Sequence, residues 1–132
     1  MLAESGITNL KIYMSFKKGD IVIVKFPFVL KEQGEIQKGR PALVLSQDVL
    51  QRRFTDITLA AITSQIPDTI MALEIILEPT ELTGLKKRSL LRLDFIMTVP
   101  SDLISRKIGR ISDDIVIDID KKLKLQFGLN QQ

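Results

Sequence analysis

The stretch GRPALVLSQ, residues 39–47, combines a short apolar run with a charge at its start. Residues 41–45 are all apolar, and a short apolar run next to turn residues is typical of a buried strand. Arg40 stands directly before that run, between Gly39 and Pro41. A permanent cation at the mouth of a hydrophobic strand is either a surface residue or part of a binding site.

Similar apolar segments on both sides of this stretch predict a mainly β domain. The predicted strands are 21–24, 41–45, 55–62, 71–77, 89–98 and 107–111. Because they follow one another closely, they favour a small antiparallel, partly closed barrel over a parallel sheet, which needs long crossovers. Pro27 is expected to end the first strand, and the polar segment 29–39 is expected to form a mobile loop.

The last segment, 112–128, fits two patterns. Its apolar residues alternate near the start, as in a strand, and recur at helical spacing over its whole length. Ser112 is a suitable N-cap, acidic residues follow in the first turn, and Gly128 stands just beyond the end. These signals predict a C-terminal helix.

Length and composition indicate one soluble globular domain. The chain has 132 residues, of which 45% are hydrophobic and 27% charged. Residues 1–15 are weakly patterned and are expected to be an N-terminal extension to a single domain at 16–130. No stretch approaches the roughly 20 apolar residues of a membrane span, and no secretory signal is evident. We therefore expect a cytoplasmic protein that does not bind a membrane.

Two missing residue types exclude much enzyme chemistry. The sequence has no cysteine, which excludes a disulfide scaffold, a thiolate nucleophile and a cysteine-based metal site. It has no histidine, so the usual general base near neutral pH is absent. We expect neither a metal nor a cofactor. The net charge of +3 permits an anionic partner without requiring one.

Three candidate sites each have a structural alternative. Arg40 is a surface arginine or a planar donor fork that binds phosphate oxygens. The Thr63 hydroxyl caps a turn or donates to the same phosphate. Arg92 and Asp94, two residues apart on one strand face, are an exposed ion pair or a positioned carboxylate beside a cation. The triplet Lys86-Lys87-Arg88 is interpreted as a solvated loop.

Four segments together resemble the PemK/MazF toxins of bacterial toxin–antitoxin systems. They are KKGDIVIVKFPF (17–28), GRPALVLSQ (39–47), LAAITSQI (59–66) and LLRLDFIMTV (90–99). The resemblance covers the chain from Lys17 to the C-terminal helix. It departs from some members, which carry a histidine in the loop before the Arg-Pro strand, where this chain has Lys31-Glu32-Gln33.

The resemblance implies a fold, an activity and partners. The fold would be a small SH3-like antiparallel β-barrel with a C-terminal helix, usually as a homodimer. The activity would be metal-independent, sequence-specific cleavage of single-stranded RNA or mRNA, leaving a 2′,3′-cyclic phosphate and a 5′-OH. An acidic antitoxin would be the partner, and DNA would be contacted only through that antitoxin.

Residue by residue, the resemblance also assigns a site. Arg40 matches the family's phosphate-binding arginine, Thr63 its catalytic hydroxyl residue, and Arg92 with Asp94 a pair proposed as acid and base. Five further residues are expected to contact RNA: Ser64, Gln65, Lys25, Lys31 and Lys38. The alternative function is a non-catalytic barrel that binds a protein or nucleic acid, either like a gyrase poison or as an inactive descendant.

Overall fold

The computed structural model describes residues 15–30, 34–47 and 53–130, with only the backbone for 26–30 and 34–38. The expected extension at 1–15 lies almost wholly outside these ranges, as does Lys31. Within them the chain forms six strands, a short 3₁₀ turn and one helix. The elements are β1 (Asp20–Leu30), β2 (Gly34–Val44), β3 (Asp56–Thr63), β4 (Glu74–Leu77), β5 (Ser89–Pro100), the turn η1 (Ser101–Leu103), β6 (Ile104–Arg110) and α1 (Asp113–Phe127).

The six strands form one antiparallel sheet in the order β4-β5-β3-β2-β1-β6. This confirms the predicted mainly β, antiparallel fold. The expected closure into a barrel is not complete, because β4 and β6 remain the two edges of the sheet. No helix among the described residues has the length and apolar character needed to cross a membrane.

A loop rather than a strand meets the open edge at β6. The Arg110 N–H donates a hydrogen bond of 2.8 Å to the carbonyl oxygen of Leu82. Leu82 lies between β4 and β5. A Cβ at Gly109 would stand 2.3 Å from the Thr83 carbonyl oxygen, so only glycine allows this backbone approach. The β4–β5 connection thus occupies the place where a closing strand would pair.

The hairpin of β1 and β2 is longer than predicted. Its register runs from Ile21 opposite Leu43 to Leu30 opposite Gly34, so most of the expected loop is strand and Pro27 pairs with Gln37. The prediction that Pro27 ends the strand was wrong. Pairing with β6 stops at Val24, so beyond that point β1 is an edge strand among the described residues, where a proline is tolerated.

Both faces of the central strands are buried, and each face has its own core. The first face is covered by α1 and contains the residues Ile21, Leu43, Ala60, Ile62, Leu77, Leu91, Leu93 and Ile119. The second face contains the residues Val22, Val24, Ala42, Val44, Ile57, Leu59, Val99 and Ile104. Alternate side chains of a strand point to opposite faces, which explains the continuous apolar runs in the sequence.

The C-terminal helix is confirmed, and its ends are those that the sequence signals predicted. The Ser112 hydroxyl accepts a hydrogen bond from the Ile115 N–H at 3.4 Å, and Gly128 adopts a left-handed conformation with φ 66°. Ile119 is the buried residue of α1. The helical alternative for this segment was therefore correct, because its caps outweigh the short alternation of isoleucines.

An irregularity in β5 changes which side chains face the core. Ala60 of β3 pairs with Ile96, whereas the next residue, Ala61, pairs with Arg92. The extra residues interrupt the alternation, as in a β-bulge. Phe95, which simple alternation places on the same face as Leu93, is 46% exposed, whereas Leu93 is fully buried.

Candidate active site

Arg40, within β2, and Thr63, the last residue of β3, lie on adjacent strands. Ala42 of β2 is paired with Ala61 of β3. Extending that antiparallel register by two residues sets Arg40 across from Thr63, on the second face of the sheet. The sequence predicted a shared role for these two residues, and the sheet register brings their strands together at this point.

Arg40 and Thr63 both line one cavity, with a volume of about 560 Å³, at the end of the sheet. Ser64 and Gln65, which were expected to contact RNA, line it too. Ile23 and Ile62 contribute from the first face, so the cavity opens where the apolar core between the sheet and α1 ends. The cavity therefore has apolar walls and a polar rim.

The Thr63 hydroxyl is held by its own turn. Its Oγ1 accepts a hydrogen bond from the Gln65 N–H at 3.1 Å. This contact is the turn-capping role that a threonine at a strand end usually has. Because Oγ1 acts here as an acceptor, its hydroxyl hydrogen remains available for a ligand. Capping and donation are thus compatible at Thr63.

Gly39 makes room for a neighbouring side chain. A Cβ at this position would stand 2.6 Å from Cγ2 of Ile23, a distance that no packed side chain allows. A glycine, which lacks a Cβ, is common where the backbone approaches a ligand closely. The structure gives it a packing role, since any larger residue would displace Ile23 from the cavity wall.

Arg92 and Asp94 form a two-point ion pair. Arg92 Nε lies 3.1 Å from Oδ1 of Asp94, and Nη2 lies 3.1 Å from Oδ2. The pair is absent from the cavity lining, but Arg92 is paired with Ala61, two residues before Thr63 on the same strand face. Arg92 is therefore a diagonal neighbour of Thr63.

The charge state of Asp94 follows from this contact. The hydrogen bond with Arg92 lowers the pKa of Asp94 below its ordinary value, despite an opposing effect of partial burial, and the same bond raises the pKa of Arg92. A carboxylate with a lowered pKa is a weaker base. Asp94 is thus better suited to orienting Arg92 than to accepting a proton.

Of the remaining expected RNA contacts, Lys25 is the one whose side chain the structure describes. Lys25 is exposed on β1 and is not among the cavity-lining residues. Lys38 belongs to β2, with a side chain outside the described part, and Lys31 lies wholly outside it.

Within the part of the chain that the structure describes, no three acidic side chains are grouped as a metal site needs.

Three cations at the cavity were not predicted as site residues. Lys86, Lys87 and Arg106 all line it. The two lysines belong to the triplet that was interpreted as a solvated loop. Arg106 lies more than sixty positions after Arg40 in the sequence. The pairing of β6 with β1 brings Arg106 to the same cavity. No local motif signals such a residue.

The comparison with protein families identifies one match. The family model described as "PemK-like, MazF-like toxin of type II toxin-antitoxin system" matches residues 17–127, which is most of the chain. These limits include every element of the sheet and all of α1. The matched region also contains each of the candidate site residues described above.

Two curated relatives match at modest identity. The endoribonuclease EndoA of Bacillus subtilis is 27% identical over 117 residues, covering 88% of this chain and 97% of the relative. The probable endoribonuclease MazF of Mycolicibacterium smegmatis is 29% identical over 92 residues, covering 70% of this chain and 83% of the relative. Both matches extend over most of the relatives' own length.

A solved structure shares the fold. An endoribonuclease in complex with its cognate antitoxin, from a mycobacterial species, superimposes with a TM-score of 0.68. It is 15% identical, and the match covers 88% of this chain and 98% of that one. At this identity the likeness concerns the fold alone.

Proposed function

This chain belongs to the family of PemK-like, MazF-like toxins of type II toxin–antitoxin systems, and on that premise we propose that it is an endoribonuclease that cuts single-stranded RNA, including mRNA, at specific sequences. The observation that carries the proposal is the convergence of Arg40 and Thr63 at one cavity. The named endoribonucleases among the relatives support it.

The reaction uses a nucleophile that RNA supplies. The ribose 2′-OH attacks the adjacent phosphorus, the 2′-oxygen–phosphorus bond forms, and the bond from phosphorus to the 5′-oxygen breaks. One proton leaves the 2′-OH, the 5′-oxygen takes up one proton, and the products are a 2′,3′-cyclic phosphate and a 5′-OH. Because no water needs to be activated as a nucleophile, we propose that the reaction runs without a metal.

Arg40 and Thr63 stabilise the charge on the phosphate in this mechanism. The Arg40 guanidinium offers two parallel donors to the non-bridging oxygens, and the Thr63 hydroxyl supplies a third. Preorganised donors of this kind act without rearrangement as charge develops. The hydrogen bond from Gln65 N–H fixes the Thr63 oxygen, so the donor is already placed.

Arg92 and Asp94 take different roles. Arg92, a diagonal neighbour of Thr63, contributes positive charge beside the leaving oxygen. Asp94 holds the Arg92 guanidinium in one orientation through its two hydrogen bonds. Since the pKa of Asp94 is lowered, we assign removal of the 2′-OH proton to a solvent base rather than to this carboxylate.

The proposal includes partners and a location. We propose that the chain acts in the cytoplasm, as a homodimer, and binds a cognate acidic antitoxin that reaches DNA in its turn. The similar fold of an endoribonuclease in complex with its cognate antitoxin supports the antitoxin. An acidic, partly disordered partner would complement the cations at the cavity.

The test is cleavage of a long RNA in EDTA, followed by mapping of the cut ends. Discrete cuts that leave cyclic phosphates are expected from the wild-type chain and are expected to be lost in Arg40→Ala and Thr63→Ala variants that keep the wild-type circular dichroism. Arg88→Gln, at a cation paired with Glu78, should cut normally. If varied RNAs stay intact, the non-catalytic alternative replaces this proposal.

A further inference from the structure

The cavity extends past the position of Arg40 and Thr63. Its inner wall is aliphatic, formed by Ile23, Ile62, Leu85 and Ile108. Ile62 and Leu85 belong to the buried core of the first face, so the wall is the exposed end of that core. Arg40 and Thr63 line the same cavity, so this wall flanks the phosphate-binding pair.

Three cations border the aliphatic wall from two distant parts of the chain. Lys86 and Lys87 come from the β4–β5 connection, and Arg106 comes from β6, where it is paired with Ile23 of β1. All three side chains are exposed. Positive charge thus converges on one rim of an apolar hollow.

These three cations differ from their sequence neighbours in their partners. Arg88 is paired with Glu78 at 3.1 Å, and Lys107 with Asp20 at 3.1 Å. Among the side chains that the structure describes, in 15–25, 39–47 and 53–130, no carboxylate forms an ion pair with Lys86, Lys87 or Arg106. Of these five neighbouring cations, the three that line the cavity are therefore the ones without an acidic partner among the described side chains.

We propose that this hollow, the flanking pocket (Ile23, Ile62, Leu85, Ile108, Lys86, Lys87 and Arg106), binds the nucleotide next to the scissile phosphate of the RNA. The base packs against the aliphatic wall, and the phosphate of that nucleotide lies between the cations. The whole cavity, which Arg40 and Thr63 also line, has a volume of about 560 Å³, within the range of small-molecule sites. The inference rests on the proposed ribonuclease function, since it assumes RNA at Arg40.

Binding of an uncleavable RNA tests the flanking pocket separately from catalysis. A short RNA that spans the mapped cut is made with a 2′-deoxy sugar at the attacking nucleotide, so it binds but does not react. We expect Lys87→Gln and Arg106→Gln each to raise the Kd roughly three- to tenfold and to reduce the slope of log Kd against log salt by about 0.7. The matched control Arg88→Gln removes the same charge one position away and should change neither value.

An uncharged phosphate analogue in the RNA shows which phosphate the cations contact. A methylphosphonate placed at successive positions of the RNA should weaken binding to the wild type at one position beside the cut. At that position it should weaken binding to Lys87→Gln and Arg106→Gln less than binding to the wild type, because each variant has already lost one of the cations. Equal Kd and equal slope for all three variants would overturn the proposal, as would weaker binding of an acidic peptide with unchanged RNA binding, which would assign the pocket to a protein.

The two proposals can fail independently. If the wild type cuts the all-ribose RNA but the pocket variants bind like Arg88→Gln, the flanking pocket is wrong and the ribonuclease stands. If the wild type cuts no RNA, the ribonuclease proposal fails and no cut is mapped. Binding of an uncut long RNA to the wild type, Lys87→Gln and Arg106→Gln then still decides whether the pocket holds RNA.

Discussion

Arg92 and Asp94 are joined by two hydrogen bonds of 3.1 Å, and this contact lowers the pKa of the carboxylate that sequence reasoning considered as a base. The geometry is a guanidinium fork on a carboxylate, which fixes the orientation of both groups. Arg92 also lies 5.4 Å from the ring centre of Phe95. The arginine is therefore held from two sides beside Thr63.

The pH dependence of Asp94→Asn tests this assignment. A lowered pKa keeps Asp94 ionised throughout pH 5–8, and its contribution is lost only as the pH falls through the folded-state pKa. We expect Asp94→Asn to reduce kcat/KM about tenfold, because Arg92 loses hydrogen bonds to a charged partner. The reduction should be the same at every pH in this range, so that the pH profile runs parallel to that of the wild type. If kcat/KM of the wild type rises with pH in this range and that rise is absent in Asp94→Asn, Asp94 acts as a base.

The contact of Gly39 with Ile23 predicts a stability effect. Gly39→Ala brings a Cβ to within 2.6 Å of Ile23 Cγ2, and such overpacking typically costs about 1–3 kcal/mol. Urea unfolding measures the loss. Because Ile23→Ala removes the clashing group, the double variant should be less destabilised than the sum of the two single variants. Full additivity would mean that the two positions do not touch.

The approach of β6 to the β4–β5 connection gives a second stability prediction. Gly109→Ala places a Cβ against the Thr83 and Leu82 carbonyl oxygens at 2.3 and 2.4 Å, and we expect a loss of about 3 kcal/mol. Gly128→Ala is the matched control, since its Cβ meets nothing within 4 Å and only the left-handed backbone, with φ 66°, is strained. That strain costs about 1 kcal/mol. A larger drop in melting temperature for Gly128→Ala than for Gly109→Ala would contradict this packing.

The ion pair of Lys107 with Asp20 should matter more than that of Arg88 with Glu78. The Asp20 side chain is 3% exposed and also accepts a hydrogen bond from the Lys17 N–H at 3.0 Å. Lys107→Gln leaves a buried carboxylate with one partner fewer, so we expect a loss of about 1–2 kcal/mol. Arg88→Gln breaks an exposed pair and should cost less than about 0.5 kcal/mol. Equal unfolding midpoints for the two variants would refute this difference.

Much of the fold could be read from local patterns. The apolar runs give the strands, and Ser112 with Gly128 gives the helix and both its ends. The length of the β1–β2 hairpin could not be predicted, because Pro27 is unfavourable only where a strand is paired on both sides. The exposure of Phe95 was missed because it depends on a bulge, which the pairing of β3 with β5 creates and no local signal announces.

The candidate site was predictable in its residue types and not in its shape. Arg40 and Thr63 stand at strand ends in the sequence, but only the register of Ala42 with Ala61 sets them side by side. Arg106 enters the cavity through the pairing of β1 with β6, a contact between segments far apart in sequence. Long-range register of this kind is set by packing of whole strands and is not written in any short motif.

Single-turnover cleavage of a short RNA around the mapped cut tests the central claim, that Arg40 and Thr63 act on one phosphate. We predict that Arg40→Ala and Thr63→Ala, each folded like the wild type, slow cleavage about 100-fold or more. The double variant should be slowed less than the product of the two single effects, because both donors serve the same charge. Cleavage by both single variants at the wild-type rate would contradict the account.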